Sequence, residues 1–175
     1  MSTMSPFDAD DSLYTHPNPV PPSPPPAVST AGAMLWALAA LHAGVAVLIV
    51  LNRGDAPAAL LTLQPDLPEA AVAGLAFTRV VGGAVIYGAA AGTFFWLGMA
   101  IRRPQIVGQW LATGVCVLGL LGGLVWAAST AQLMPNAQSS LTIERQVSLA
   151  LELLVIVLLW APRRSRRFFA SESMI

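Results

Sequence analysis

Four long apolar stretches constrain this chain more than any other feature. They cover residues 33–51, 77–101, 106–128 and 143–161, and each is close to the ~20 residues that a helix needs to cross ~30 Å of hydrocarbon. Strands of a membrane barrel would be about half as long and would alternate polar with apolar residues, which these stretches do not. The pattern predicts an all-α fold, a four-helix transmembrane bundle formed by residues 31–162.

The composition agrees with a chain that lies mostly in lipid. Of 175 residues, 55% are hydrophobic and 10% are charged, which is the bias expected of a membrane protein. All nine basic residues are arginine, a compositional hint of a GC-rich bacterial genome. Nothing in this composition supports nucleic-acid binding. The single cysteine, Cys116, lies inside the third apolar stretch and is expected to be a packing residue.

Arginines gather at one set of helix ends and so predict the orientation. Basic residues near helix ends are retained on the cytoplasmic side, and the opposite ends carry only Arg53, Arg79 and Arg145. We therefore expect a multi-pass protein of the inner cell membrane, with both termini in the cytoplasm. The residues that anchor this topology are Arg102, Arg103, Arg163, Arg164, Arg166 and Arg167.

The two ends of the chain are predicted to be cytoplasmic tails. Residues 1–30 contain no basic residue and have seven prolines between positions 17 and 26, a composition that favours extended, disordered chain. This proline-rich segment is either a solvated spacer or a docking site for a proline-recognising partner. Because it lacks the basic leader of a secretory signal peptide, the first helix should stay uncleaved. Residues 163–175 form a basic tail.

Two ridges of small residues indicate how the helices associate. Lipid offers no hydrophobic drive between helices, so close backbone packing must supply much of the contact. We expect the ridge on the second helix to pack against the ridge on the third, and the alternative is self-association or binding of a partner helix. The ridge residues are Ala84, Gly88 and Gly92 on the second helix and Gly119, Gly123 and Ala127 on the third.

One carboxylate lies deep in the predicted membrane. Glu152 is eight residues from Trp160 at the inner boundary, which places it about 12 Å deep by helical rise. An unpaired charge there costs about 3 kcal/mol on insertion scales, so Glu152 should be protonated or paired. His42 lies at a similar depth and is the candidate partner. The two form either a proton-responsive pair, or Glu152 is neutral and bonded near Ser148 while His42 packs between helices.

The residue types that chemistry needs are sparse. His16 and His42 are the only histidines, and neither a cysteine cluster nor a phosphate-binding glycine loop is present in the sequence. We expect a non-enzymatic protein without a cofactor, an accessory, assembly or regulatory component that binds other membrane proteins or a second copy of itself. The alternative is a small transporter or channel subunit that uses a polar layer around Glu152 and His42.

The segment 153–169 reads LLVIVLLWAPRRSRRFF. It resembles the last helix and basic tail of small four-span integral membrane proteins from actinobacteria, most of which are uncharacterised. The resemblance covers the end of the chain and implies neither an activity nor any binding residues.

Overall fold

The computed structural model describes residues 23–133 and 140–170, with side chains for residues 23–123 and 143–170. Every regular element in these ranges is helical, which confirms the all-α prediction. The predictions for residues 1–22 and 171–175, and for the side chain of Ala127, lie outside the described residues. The elements are α1 (Pro26–Leu51), a 3-10 turn (Arg53–Asp55), α2 (Ala56–Leu63), α3 (Glu69–Ala100), α4 (Ile106–Leu133), α5 (Ser140–Trp160) and α6 (Arg163–Ala170).

Three helices of the described chain are long and apolar enough to cross a membrane. They are Pro26–Leu51, Glu69–Ala100 and the Ile106–Gly123 part of α4, and they support the assignment as a membrane protein. The fourth helix, α5, has 21 residues, but it carries Glu144, Arg145 and Glu152. Each charge raises the cost of placing a helix in lipid, so length and apolar character alone do not make α5 a span.

Two helices begin earlier than the apolar stretches predict. α1 begins at Pro26 instead of residue 33, and α3 begins at Glu69 instead of residue 77. Hydrophobicity marks the part of a helix that suits lipid, whereas the helix itself continues until its backbone is interrupted. Pro26 at the first helical position of α1 and Pro68 just before α3 provide those boundaries, because proline fixes a helical φ and needs no N–H partner there.

The packing arrangement of the helices differs from the expected one. α1 packs between α3 and α5, and α4 packs against α5. Within the described chain, α3 and α4 approach each other near the turn that joins them, where a Cβ added at Gly108 would lie 3.3 Å from the carbonyl oxygen of Ala100. The expectation that the second and third helices pack along their length is therefore wrong, because α5 occupies the face of α4 that was assigned to α3.

α1 and α3 cross closely at a pair of glycines. A Cβ added at Gly98 would lie 3.2 Å from the carbonyl oxygen of Gly32, and one added at Gly32 would lie 3.4 Å from that of Gly98. The Trp36 ring fills the space over Gly98, and the Arg102 guanidinium lies 4.1 Å from the centre of that ring. This contact places the start of α1 beside the end of α3.

The apolar core lies at one end of the bundle, where α6 covers it. The helix α6 exposes its four arginines and buries Ser165, Phe168 and Phe169, and the Ser165 hydroxyl donates a hydrogen bond of 3.1 Å to the Leu158 carbonyl. Residues 163–170 of the predicted basic tail thus form a packed amphipathic helix. The core here includes Val28, Leu35, Leu97, Ile101, Ala112, Leu159, Phe168 and Phe169.

Candidate polar cavity between α3 and α4

A cavity of about 560 Å³ lies between α3 and α4, with residues of α1 and α5 completing its wall. It exists because α4 packs on α5 and diverges from α3 beyond their shared turn. Its apolar wall includes Ile86, Ala90, Phe94, Val115 and Leu118. Its polar side chains are His42, Tyr87, Thr93, Glu144, Arg145 and Glu152. A largely apolar cavity with a few convergent polar groups is the usual form of a small-molecule site.

Glu152 is almost fully buried in this wall, with 1% of its surface exposed. Its Oε1 accepts a long hydrogen bond of 3.4 Å from the Ser148 hydroxyl, whereas its Oε2 has no hydrogen-bond partner in the described chain. The carboxyl fits because Gly119 on α4 has no side chain, and an added Cβ there would overlap all three carboxyl atoms. A buried polar atom without a partner is costly, and at Glu152 this atom belongs to a side chain that is itself almost fully buried.

Arg145 lies half-buried two helical turns before Glu152, on the same face of α5. Its Nη2 donates a hydrogen bond of 2.5 Å to the carbonyl oxygen of Gly119, and its Nε has no partner among the described residues. A Cβ added at Gly123 would overlap the guanidinium. The ridge of Gly119 and Gly123 therefore makes room for two charged side chains of α5, and does not pack against α3.

His42 lies on α1 beside two aromatic rings. Its exposed fraction is 5%, and its ring centre lies 5.2 Å from that of Phe94 and 5.7 Å from that of Tyr87. Since a carbonyl can only accept, Nδ1 is the donor in the 2.8 Å hydrogen bond to the Leu38 carbonyl. In the neutral imidazole, this leaves Nε2 as an acceptor.

The structure brings the predicted pair of Glu152 and His42 to one cavity without bonding them to each other. Both residues line its wall, but among the described side chains they share neither a hydrogen bond nor an ion pair. Glu152 instead has the hydroxyl of Ser148 as its neighbour. Proton exchange between Glu152 and His42 stays a prediction.

The two glycines in the small-residue ridge of α3 face open space in the described structure. A Cβ added at Gly88 or Gly92 would meet no heavy atom of another residue within 4 Å, and Ala84 is half-buried. Gly83, which was not part of the predicted ridge, lies against α1, where an added Cβ would lie 3.2 Å from Ile49.

The sequence pattern did not identify Glu144 and Arg145 as cavity residues. One available signal was the spacing of Arg145, Ser148 and Glu152, which puts three polar side chains on one face of a helix. Among the described residues, no group of His, Cys, Asp and Glu side chains is placed to hold a metal ion.

Comparison with protein-family models, with curated proteins and with solved structures finds no match to this chain. The resemblance of segment 153–169 to actinobacterial four-span proteins therefore stays a prediction. The fold and the cavity define the class: a helical membrane protein in which two helices diverge around a largely apolar cavity that has a few polar side chains in its wall.

Proposed function

We propose that this protein is a non-enzymatic component of a membrane complex, with an accessory, assembly or regulatory role. In this proposal it crosses the inner membrane four times and has both termini in the cytoplasm. The arginines of α6 and Arg102 lie at the same end of the bundle, the end that holds the core. Because basic residues are retained on the cytoplasmic side, this clustering supports the proposal that this end faces the cytoplasm.

The fourth crossing is supported by where α5 directs its charges. Glu152 is buried and Arg145 is half-buried against α4, so neither side chain has to face hydrocarbon. Apart from Gln146, the exposed residues of α5 whose side chains are described are apolar, with exposed fractions of 56% for Leu153, 42% for Leu154 and 46% for Val157. An apolar outer face and an inward polar face are what a bundle helix in lipid requires.

The observation that carries the proposed role is the uncovered ridge of α3. Gly88 and Gly92 are exposed, and added Cβ atoms there meet open space within the described structure. Small residues four apart let two helix backbones approach closely, which is how membrane helices associate. The matching glycines of α4 are already covered by α5. The ridge of α3 is thus the surface best suited to a transmembrane helix of another protein.

The experiment is native purification in mild detergent, with variants that separate binding from folding. Gly88→Leu combined with Gly92→Leu should leave thermal unfolding unchanged and remove a stoichiometric membrane partner, because these leucines enter open space. The matched control is Gly119→Leu, which should destabilise the protein by displacing Glu152. An unchanged partner list for the double variant, or its unfolding, would overturn the proposed role.

A second candidate function is a small transporter or channel subunit, and it is favoured by the buried Glu152 on a cavity of about 560 Å³. Four helices rarely enclose a pathway alone, so this function requires homo-oligomers. Reconstituted protein should then carry substrate or proton flux that Glu152→Gln removes. A monomer without a partner and without flux would refute both functions.

A further inference from the structure

We infer that the cavity between α3 and α4 binds an amphiphilic ammonium compound, a small organic molecule with a compact apolar body and one N–H-bearing positive charge. This inference deepens the second candidate function by naming the class of its ligand. It rests on the cavity, on the formal charges in its wall, and on the atoms there that have no partner.

The formal charges of the wall favour a cation. Glu144, Arg145 and Glu152 line the cavity, so its wall holds two carboxyl groups and one guanidinium. Arg145 is held by its hydrogen bond to the Gly119 carbonyl, which fixes its charge on the α4 side. One ligand charge would balance the remaining carboxylate, and an ion balanced in this way is far less costly to hold in an apolar cavity than an isolated one.

Most of the unpartnered polar atoms in the cavity wall are acceptors, so a ligand that fits them must supply donors. Glu144 Oε1 and Glu152 Oε2 are buried acceptors without partners in the described chain, against one unpartnered cavity donor, Arg145 Nε. His42 adds a further acceptor, Nε2, when its Nδ1 donates to the Leu38 carbonyl. An ammonium group offers up to three N–H donors and no acceptor. A carboxylate or sulfate would add acceptors to a wall that already has an excess of them.

The rest of the wall suits the apolar body and the charge. Ile86, Val115 and Leu118 provide aliphatic surface. Tyr87 and Phe94 line the same cavity, and aromatic faces attract cations. The cavity is also large enough, at about 560 Å³, because sites for small molecules begin at roughly 300 Å³.

The experiment compares three probes of one shape on the full chain in lipid nanodiscs. The probes are 1-adamantylammonium, 1-adamantanol and 1-adamantanecarboxylate, and their binding is measured by equilibrium dialysis. The ammonium should bind at least tenfold more tightly than the other two. Equal affinities for the three would mean that the cavity takes apolar matter without regard to charge, and this result would overturn the inference.

Matched glutamine variants locate the site. Glu152→Gln should weaken ammonium binding at least tenfold, whereas Glu69→Gln, at an exposed position at the start of α3, should leave it unchanged. If Glu152→Gln fails to fold, Glu144→Gln takes its place and should weaken binding by a smaller factor. Equal binding by the cavity variant and the Glu69 control would refute the site. Ammonium binding without flux would support the inference and refute the transporter function.

Discussion

A methyl group added at Gly119 tests whether this glycine exists to accommodate Glu152. In Gly119→Ala, the new Cβ would overlap the buried carboxyl, and overpacking of this kind costs about 1–3 kcal/mol. Replacing a helical glycine by alanine returns up to about 1 kcal/mol of helix propensity. We expect a net loss of up to about 2 kcal/mol in the free energy of unfolding.

Gly122→Ala on the same helix is the matched control. No heavy atom of another described residue lies within 4 Å of its added Cβ, so only the propensity gain applies, and the two variants should differ by about 1–3 kcal/mol. The assay is reversible unfolding in mixed micelles, followed by far-UV circular dichroism. Combining Gly119→Ala with Glu152→Ala should recover most of the loss, because the overlapping group is gone. Equal stabilities for the two alanine variants would refute the reasoning, as would a double variant that shows no recovery.

Three further predictions use the same unfolding assay on other contacts. Phe169→Ala should cost about 3–5 kcal/mol, because this ring is 1% exposed in the core beneath α6; a loss below 1 kcal/mol would contradict its place there. Gly98→Ala should cost about 1–3 kcal/mol by overlapping an indole of α1, whereas Gly74→Ala, which meets open space, should be neutral or stabilising. Trp160→Phe should cost about 1 kcal/mol more in the wild type than in a Thr113→Val background, because in the wild type it also removes the 2.8 Å hydrogen bond from the indole N–H to the Thr113 hydroxyl.

Hydrophobicity located the long helices, but it predicted neither where α1 and α3 begin nor which helices are neighbours. The third apolar stretch was expected to begin at residue 106, where α4 does begin. In lipid, however, all apolar faces are nearly equivalent, so a sequence pattern carries little information on helix order. Two ridges with the same spacing therefore met different fates: Gly119 and Gly123 are covered by α5, whereas Gly88 and Gly92 are uncovered in the described chain.

The candidate site was predictable in part. The sequence alone identifies Glu152 as an unusual residue, since placing a carboxylate within a long apolar helix in lipid is costly. Its accommodation by Gly119 was not predictable, because this depends on the rotation of α4 relative to α5. The helix α6 was missed for a different reason: the arginines at 163–167 dominate the composition there, whereas Phe168 and Phe169, which are buried, determine how the segment packs.

The confinement of the core to the α6 end has a consequence for motion. Backbone amides at that end should exchange with deuterium most slowly, because unfolding the helices there exposes the apolar core around Phe169 to solvent. Amides of α3 and α4 near the cavity have fewer packed neighbours to release, so their exchange should be faster. The α6 end should therefore be the more stable half of the bundle. A ligand can then enter the cavity in the other half without unfolding the core.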